Sequence, residues 1–352
     1  MNLRVGLVGP LPPPSGGMAN QTLQLARLLR EEGLQVDVVQ VNPPYRPAWA
    51  ERVRGVRAVF RLLPYLLRLW RCAGQSDLLH VMANSGWSWH LFAVPAIWIG
   101  RWRGTPVLVN YRGGEAEAFF ARSLRWVRLS MARASAVVVP SGFLEDVFQR
   151  HGMAALVVPN VVDLARFSPA ARPRRQCILV ARNLEAIYDN ACALRALALL
   201  RVTHPGACMV IAGSGPLRAE LEQLAAQLGV WEAVRFAGRV DHAQMAALYA
   251  NADVMLNPSL VDNMPNAVLE ALASGVPVVS TRAGGVPYMV RDGHTALLVT
   301  LGSAPEMAAA LACLFDQPAL GDALATAGQQ EVMRYTWTAV RPQLLAVYER
   351  LA

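Results

Sequence analysis

The residues best suited to chemistry lie in one string, LNPSLVDNMPNAVLEALASGVPVVSTRAGGVPYMV, which covers residues 256–290. It places one carboxylate, Asp262, ahead of a helix start and a second, Glu270, inside the helix. Pro265 has a fixed φ and no N–H, which suits the first helical position, and Asn263 offers a capping side chain. Ala267, Val268, Ala271 and Leu272 recur at helical spacing as a buried face, and Gly275 ends the helix before an apolar strand at 276–280. The N-terminal N–H groups of this helix, around Asn263, Met264, Pro265, Asn266 and Ala267, point out of a strand end and form a seat for an anion. Both carboxylates can accept hydrogen bonds from hydroxyl groups, which a ribose and a sugar present.

The elements that must position these groups are legible as two similar halves. Short β-branched runs at 3–9, 34–41, 78–82, 107–110 and 136–139 alternate with helical patterns. The scheme repeats at 177–181, 208–212, 234–237, 254–257, 276–280 and 296–299. Strands alternating with helices of this length predict βαβ units and parallel sheets. A stretch rich in Pro and Arg at 164–174 reads as the linker, so the domains are expected at 1–164 and 165–336. A final helix at 337–352 is expected to pack back on the first. Two doubly wound domains predict a cleft that takes ligands at the carboxyl ends of the strands.

Composition removes several chemistries. All 33 basic residues are Arg, and the absence of Lys excludes a Schiff base, pyridoxal phosphate attachment and a phosphate-loop Lys. Phosphate must be met by Arg, backbone N–H groups or a helix N-terminus. The five cysteines show no Cys-x-x-Cys spacing and the six histidines no paired ligand spacing, so no metal site is expected. GPLPPPSGGM after the first strand is not the dinucleotide fingerprint, which argues against a nicotinamide-dependent oxidoreductase. The apolar start reads as a strand and not as a signal peptide, so a cytoplasmic setting is expected and an exported sugar-binding protein is not.

The 256–290 string resembles the signature of family-4 glycosyltransferases of the GT-B fold: Glu, seven residues, Glu, then Ala-x-Ala-x-Gly-x-Pro-Val-Val. Here it reads Asp262, seven residues, Glu270 and ALASGVPVVST. The resemblance implies that Glu270 holds the ribose hydroxyls of a nucleotide and Asp262 the hydroxyls of the transferred sugar, with a reach one methylene shorter than the family's Glu. Gly16 and Gly17 match the family's N-terminal glycine loop. Gly213 and Gly215, in AGSGPLRAELEQLAAQLGV, match its Gly-x-Gly-Pro turn, and VPNVVDLARFSP matches its linker.

Two departures stand out. VARNLEAIYDN keeps the family's diphosphate-binding Arg as Arg182, but Ile187 and Tyr188 stand in the region of its Lys. Arg112 stands about where the family often has a His, in NYRGGEAEAFF; it either meets phosphate or sugar, or forms a surface ion pair, while Glu115 is a candidate for the acceptor side.

The resemblance therefore implies an α/β, GT-B chain with two Rossmann-like doubly wound domains facing a central cleft. It implies a retaining hexosyltransferase that uses a nucleotide-sugar donor, with no cofactor and no metal, in cell-envelope or polysaccharide synthesis. The missing Lys leaves a second reading open, a catalytically weak member that binds sugar nucleotide as a scaffold subunit.

The expected acceptor is a glycan or lipid-linked glycan. Residues 46–73 carry seven Arg against one Glu, interleaved with Trp49, Val53, Val56, Leu63, Leu67 and Trp70. Such a stretch is either a basic amphipathic segment for an anionic membrane surface or a solvated helix face with an ordinary core side. The net charge favours the first: residues 1–164 hold 18 Arg against 10 acids, and 165–352 hold 15 against 15. The protein is thus expected in the cytoplasm, or peripherally on the inner face of the membrane. No nucleic-acid motif accompanies the charge, so nucleic acid is not expected as a partner.

Overall fold

The computed structural model describes residues 3–13, 16–45, 56–170 and 174–352, with the side chains of residues 56–58 excepted. The chain divides into unit 1, Met1–Asn160 with Val340–Ala352, and unit 2, Val161–Ala339. Unit 1 runs β1 (Arg4–Gly9), α1 (Gly17–Glu31), β2 (Gln35–Gln40), α2 (Val56–Ala73), β3 (Leu78–Ala83), α3 (Val94–Arg103), β4 (Val107–Tyr111), α4 (Ala116–Met131), β5 (Ala136–Val139), α5 (Gly142–Arg150) and β6 (Leu156–Val157). Its parallel sheet has the order β2-β1-β3-β4-β5-β6. The short β6 has no counterpart among the expected strands, because two residues are too few to show a period.

This order fixes which helix covers which face. Right-handed crossovers that reverse direction at β1 put α1 on one face and α2 to α5 on the other. Alternate residues of β3 and β4 then divide between two cores. Leu79, Val81, Val107 and Val109 pack with Tyr65 and Leu69 of α2, Ile97 of α3, Phe120 and Val127 of α4 and Phe148 of α5. Burial of β3 and β4 along their whole length explains why both read as unbroken apolar runs.

Unit 2 continues with β7 (Cys177–Val180), α6 (Asn190–Leu200), β8 (Cys208–Ala212), α7 (Arg218–Gln227), β9 (Val234–Gly238), α8 (His242–Ala250), β10 (Val254–Asn257), α9 (Asn266–Ala273), β11 (Val278–Thr281), β12 (Leu297–Val299), α10 (Ala304–Asp316) and α11 (Pro318–Val332), and the chain closes with α12 (Trp337–Leu351), which belongs to unit 1 from Val340 onward. The sheet order is β12-β11-β10-β7-β8-β9, again parallel. Strand β11 starts two residues later than expected: Pro277 lacks an N–H and contributes only its carbonyl, which accepts from the Met255 N–H at 2.9 Å. Among the described residues, no helix is long and apolar enough to cross a membrane.

The end of α12 belongs to unit 1, where Tyr348 reaches the sheet. Its hydroxyl lies 2.7 Å from His80 Nδ1, His80 Nε2 lies 3.0 Å from Asn110 Nδ2, and Asn110 Oδ1 accepts from Arg112 Nε at 3.1 Å. An Arg only donates, so the Asn110 amide orientation is fixed and its NH2 donates to His80. Complete burial, with the Arg112 charge adding to it, holds the His80 pKa down at about 3. The neutral ring therefore carries its proton on Nδ1 and donates it to Tyr348.

Changing Tyr348 to Phe removes that acceptor inside a closed core. The variant should lose about 1–3 kcal/mol of stability, the usual cost of a stranded buried donor. A denaturant midpoint equal to wild type would show that the hydroxyl contributes nothing.

Candidate functional site

Most of the residues singled out from sequence gather at the carboxyl ends of β7, β8, β10 and β11 in unit 2. Arg182 lies two residues beyond β7 and reaches across to the β10 loop. Its Nη2 donates to the Asp262 carboxylate and its Nε to Asn257 Oδ1 at 2.9 Å, while its guanidinium lies 5.2 Å from the centre of the Tyr188 ring. The Arg182 and Asp262 side chains are only 10% and 11% exposed. Burial raises the Asp262 pKa, outweighing the pull of Arg182, the Ser259 hydroxyl and the Asn263 N–H.

A strand-end network holds this pair in place. Ser259 Oγ donates to Asn257 Oδ1 at 2.7 Å, Asn257 Nδ2 donates to Ser280 Oγ at 3.0 Å, and Thr281 Oγ1 donates to the Ser259 carbonyl at 2.5 Å. Glycines let the loops close around it. A Cβ on Gly213 would sit 2.0 Å from the Arg182 carbonyl oxygen, and one on Gly215 2.3 Å from that of Leu184. Both positions, expected at the donor, thus have a packing reason of their own. Gly285 is tighter still: its N–H donates to the Asp262 carbonyl at 2.9 Å, and a Cβ would lie 1.7 Å from the Asn263 carbonyl oxygen.

The start of α9 departs from expectation. Pro265 is the cap residue itself, with φ −64° and ψ 115°, the helix begins at Asn266, and no side chain caps it. The Asn263 cap expected from sequence is not made. Met264 and Ala267 are buried in the core with Val268 and Leu272, so their side chains face away from any ligand and only their backbone can serve one. The expected motif is there, and what it can offer an anion is main chain, as the N–H reading expected.

Glu270 lies in the second turn of α9, partly buried. Tyr249 Oη, fully buried on α8, lies 3.1 Å from Glu270 Oε2 and 2.9 Å from the Ala267 carbonyl. Burial pushes the Glu270 pKa up to about 7, with Tyr249, Arg182 and Arg166 pulling the other way. Sequence reasoning missed Tyr249 as the group that orients Glu270. The available signal was a hydroxyl-bearing aromatic on the apolar face of the helix before β10, where a buried Tyr needs a partner.

The unit 1 candidates gather at the ends of their own strands. The Arg112 Nη1 donates to Asn160 Oδ1, and burial lowers its pKa to about 10. Its Nε donates to Asn110 Oδ1 at 3.1 Å, so the amides of two Asn side chains orient the guanidinium. Gly113 allows the β4 loop to lie on the β3 loop, since a Cβ would meet Ser85 Oγ at 2.0 Å. Glu115 is exposed at the start of α4 and does not cap it. Gly16 precedes α1 in extended backbone and Gly17 opens the helix, again without a side-chain cap. Among the described residues, no group of three or more His, Cys, Asp or Glu could hold a metal ion.

The comparisons with known proteins agree in kind. Residues 15–166 match the model of Glycosyltransferase Family 4, and residues 175–317 match that of Glycosyl transferases group 1. An MMP alpha-(1->4)-mannosyltransferase of Mycolicibacterium hassiacum is 32% identical over 254 residues, covering 71% of this chain but 60% of its relative. A phosphatidyl-myo-inositol mannosyltransferase of Mycobacterium leprae is 28% identical over 382 residues, covering 99% of this chain and 97% of its own. Among solved structures, HepE of Anabaena in complex with UDP and glucose superposes with a TM-score of 0.77 at 18% identity, over 99% of this chain and 100% of that one. A sucrose-phosphate synthase of Thermosynechococcus elongatus gives 0.79 at 20% identity, over 99% of each chain.

The raised Glu270 pKa carries a signed consequence. A carboxyl that ionises near 7 in the fold and near 4.5 when unfolded is stabilising below pH 4.5, and that contribution is lost as pH rises through 7. Glu270→Gln removes the titration, so its stability relative to wild type should climb between pH 4.5 and 7 by up to about 3 kcal/mol. A difference independent of pH, measured by denaturant unfolding, would place Glu270 in an ordinary environment.

Proposed function

The chain belongs to the family-4, group 1 glycosyltransferases, and from that premise we propose that it moves a sugar from a nucleoside-diphosphate sugar to a hydroxyl acceptor with retention of configuration. The observation that carries this reading is the cluster of Arg182, Asp262 and Asn257 at the strand ends of unit 2, with Glu270 one helix further on. Asn257 and Asp262 take the Nε and Nη2 of Arg182; its Nη1 is the nitrogen assigned to the departing diphosphate. Backbone groups from 263 to 267 add the partial positive charge of a helix start. Asp262 takes hydroxyls of the transferred sugar, and Glu270 those of the ribose. The acceptor hydroxyl attacks from the side the diphosphate leaves and passes its proton to a leaving phosphate oxygen, so no carboxylate nucleophile is required. Arg182 and the helix start stabilise the charge that develops on the leaving group.

The relatives named for mannosyl transfer support a glycan or lipid-linked glycan as acceptor, in cell-envelope or polysaccharide synthesis. Neither a cofactor nor a metal ion is part of this reading, because Arg182 and the α9 start take over the charge a cation would balance. The working place is the cytoplasm or the inner surface of its membrane. Arg112 and Glu115, on unit 1, are assigned to the donor sugar or phosphate and to the acceptor respectively.

Calorimetry with UDP, GDP, ADP and their sugar conjugates tests the donor site. One base should bind, and Glu270→Ala should weaken it by about 2–4 kcal/mol through loss of two charge-assisted hydrogen bonds. Absence of binding by all of them rejects the reading. Arg182→Ala should lower turnover on the order of 10²-fold, and Arg182→Lys less, since Lys keeps the charge but not the planar fork. Thermal unfolding belongs beside this measurement, because Ala leaves Asp262 buried without its partner. Turnover near wild type in the Ala variant would shift the phosphate role to Arg112 or to the backbone. Transfer should also persist in EDTA; loss restored by magnesium or manganese would overturn metal independence.

A further inference from the structure

We propose that unit 1 docks on an anionic phospholipid bilayer through the outer sides of α2, α3 and α4 together. This deepens the acceptor side of the proposed function and rests on that reading for its use, though its physical basis is separate. Residues 46–55, including Trp49, Val53 and Arg54, lie outside the described residues, as do the side chains of Val56 and Arg57, so the surface is argued without them.

The three helices lie on one face of the sheet and fill the core with their inner sides. A helix covering a sheet needs one apolar side, and α2 has two. Val59, Leu63, Leu67 and Trp70 recur at helical spacing opposite Tyr65 and Leu69, and all four are between 44% and 59% exposed. On α3, Trp102 is 69% exposed, and on α4, Trp126 is 68% exposed beside Leu129. The ends of the helices join these residues into one surface. The Arg103 guanidinium lies 5.0 Å from the Trp70 ring centre, the Trp98 and Trp102 rings are 6.2 Å apart, and Arg133 lies 4.8 Å from the Trp98 ring.

The charge on this surface has one sign. Arg68, Arg71, Arg101, Arg122, Arg125 and Arg128 are exposed on it. The three helices contain a single acid, Glu117, which pairs with Arg150 at 2.6 Å. A second copy of this chain would bring Arg against Arg in a symmetric contact. A nucleic acid would satisfy the Arg but offers no apolar volume for Leu63 and Leu67. An anionic bilayer satisfies both: indoles settle at the headgroup level, aliphatic side chains enter the acyl boundary, and Arg reaches back to phosphate.

The test uses the full chain with vesicles of phosphatidylcholine, with and without phosphatidylglycerol, at low and high salt. Wild type should float with the anionic vesicles at low salt, and its Trp fluorescence should be quenched by brominated acyl chains. Replacing Arg101, Arg122 and Arg125 with Gln should weaken partitioning about 10²-fold, at roughly fivefold for each Arg. Leu63→Ser with Leu67→Ser should also release the protein, and Trp102→Ser with Trp126→Ser should reduce the quenching. Nucleotide binding should be unchanged in every variant. No flotation at low salt, equal flotation on neutral vesicles, a dimer abolished by the Trp changes, or RNA binding without bromine quenching would each overturn the proposal. Flotation without binding of any nucleotide would leave docking standing and remove the donor reading; the reverse result would do the opposite.

Discussion

The candidate site of unit 2 is organised by one buried ion pair, Arg182 with Asp262. Taking both charges out of water is costly, and such a pair persists only when further hydrogen bonds and packing hold it. Here Asn257 takes a second nitrogen of Arg182, and Tyr188 covers its face. Ser259, Ser280 and Thr281 fix the loop beneath. The pair joins the ends of β7 and β10, which are neighbours in the sheet. The tight glycines follow from the same constraint, since the loops after β8 and β11 can approach it only without a side chain at Gly213 and Gly285.

A chain without Lys must do with Arg what other chains do with two kinds of cation. In unit 2 Arg182 meets the carboxylate of Asp262, while in unit 1 Arg112 donates to the amides of Asn110 and Asn160. That second arrangement is supported from behind by Asn110, His80 and Tyr348, so a residue near the end of the sequence reaches a loop in the first third. Directed hydrogen bonds to Asn side chains thus orient both guanidiniums, and in unit 2 the Asp262 carboxylate joins them.

Much of the fold was legible because both sheets are parallel, and a parallel sheet covered on both faces writes its central strands as apolar runs. Strand β6 escaped because it has two residues, and β11 was placed early because Val276 reads as strand although Pro277 breaks the ladder. The Asp262 and Glu270 motif was found from its spacing. What spacing could not show was that Asp262 and Arg182 contact each other, that Tyr249 backs Glu270, or that Met264 turns inward. These are relations between distant segments. The same holds for the outer apolar surface: the α2 part stood out in the sequence, whereas Trp102 and Trp126 were not singled out and only the packing shows them facing out.

Glu270 adds a chemical consequence. In unliganded protein near neutral pH, a carboxyl that titrates at about 7 is a mixture of acid and carboxylate. Ribose hydroxyls donating to it favour the carboxylate, so donor capture in the proposed complex expels a fraction of a proton into solution. The heat of binding then includes the ionisation of whatever buffer receives that proton. Heats recorded in phosphate and in Tris would differ in proportion to the protons expelled, which makes the choice of buffer a proton counter for this one side chain.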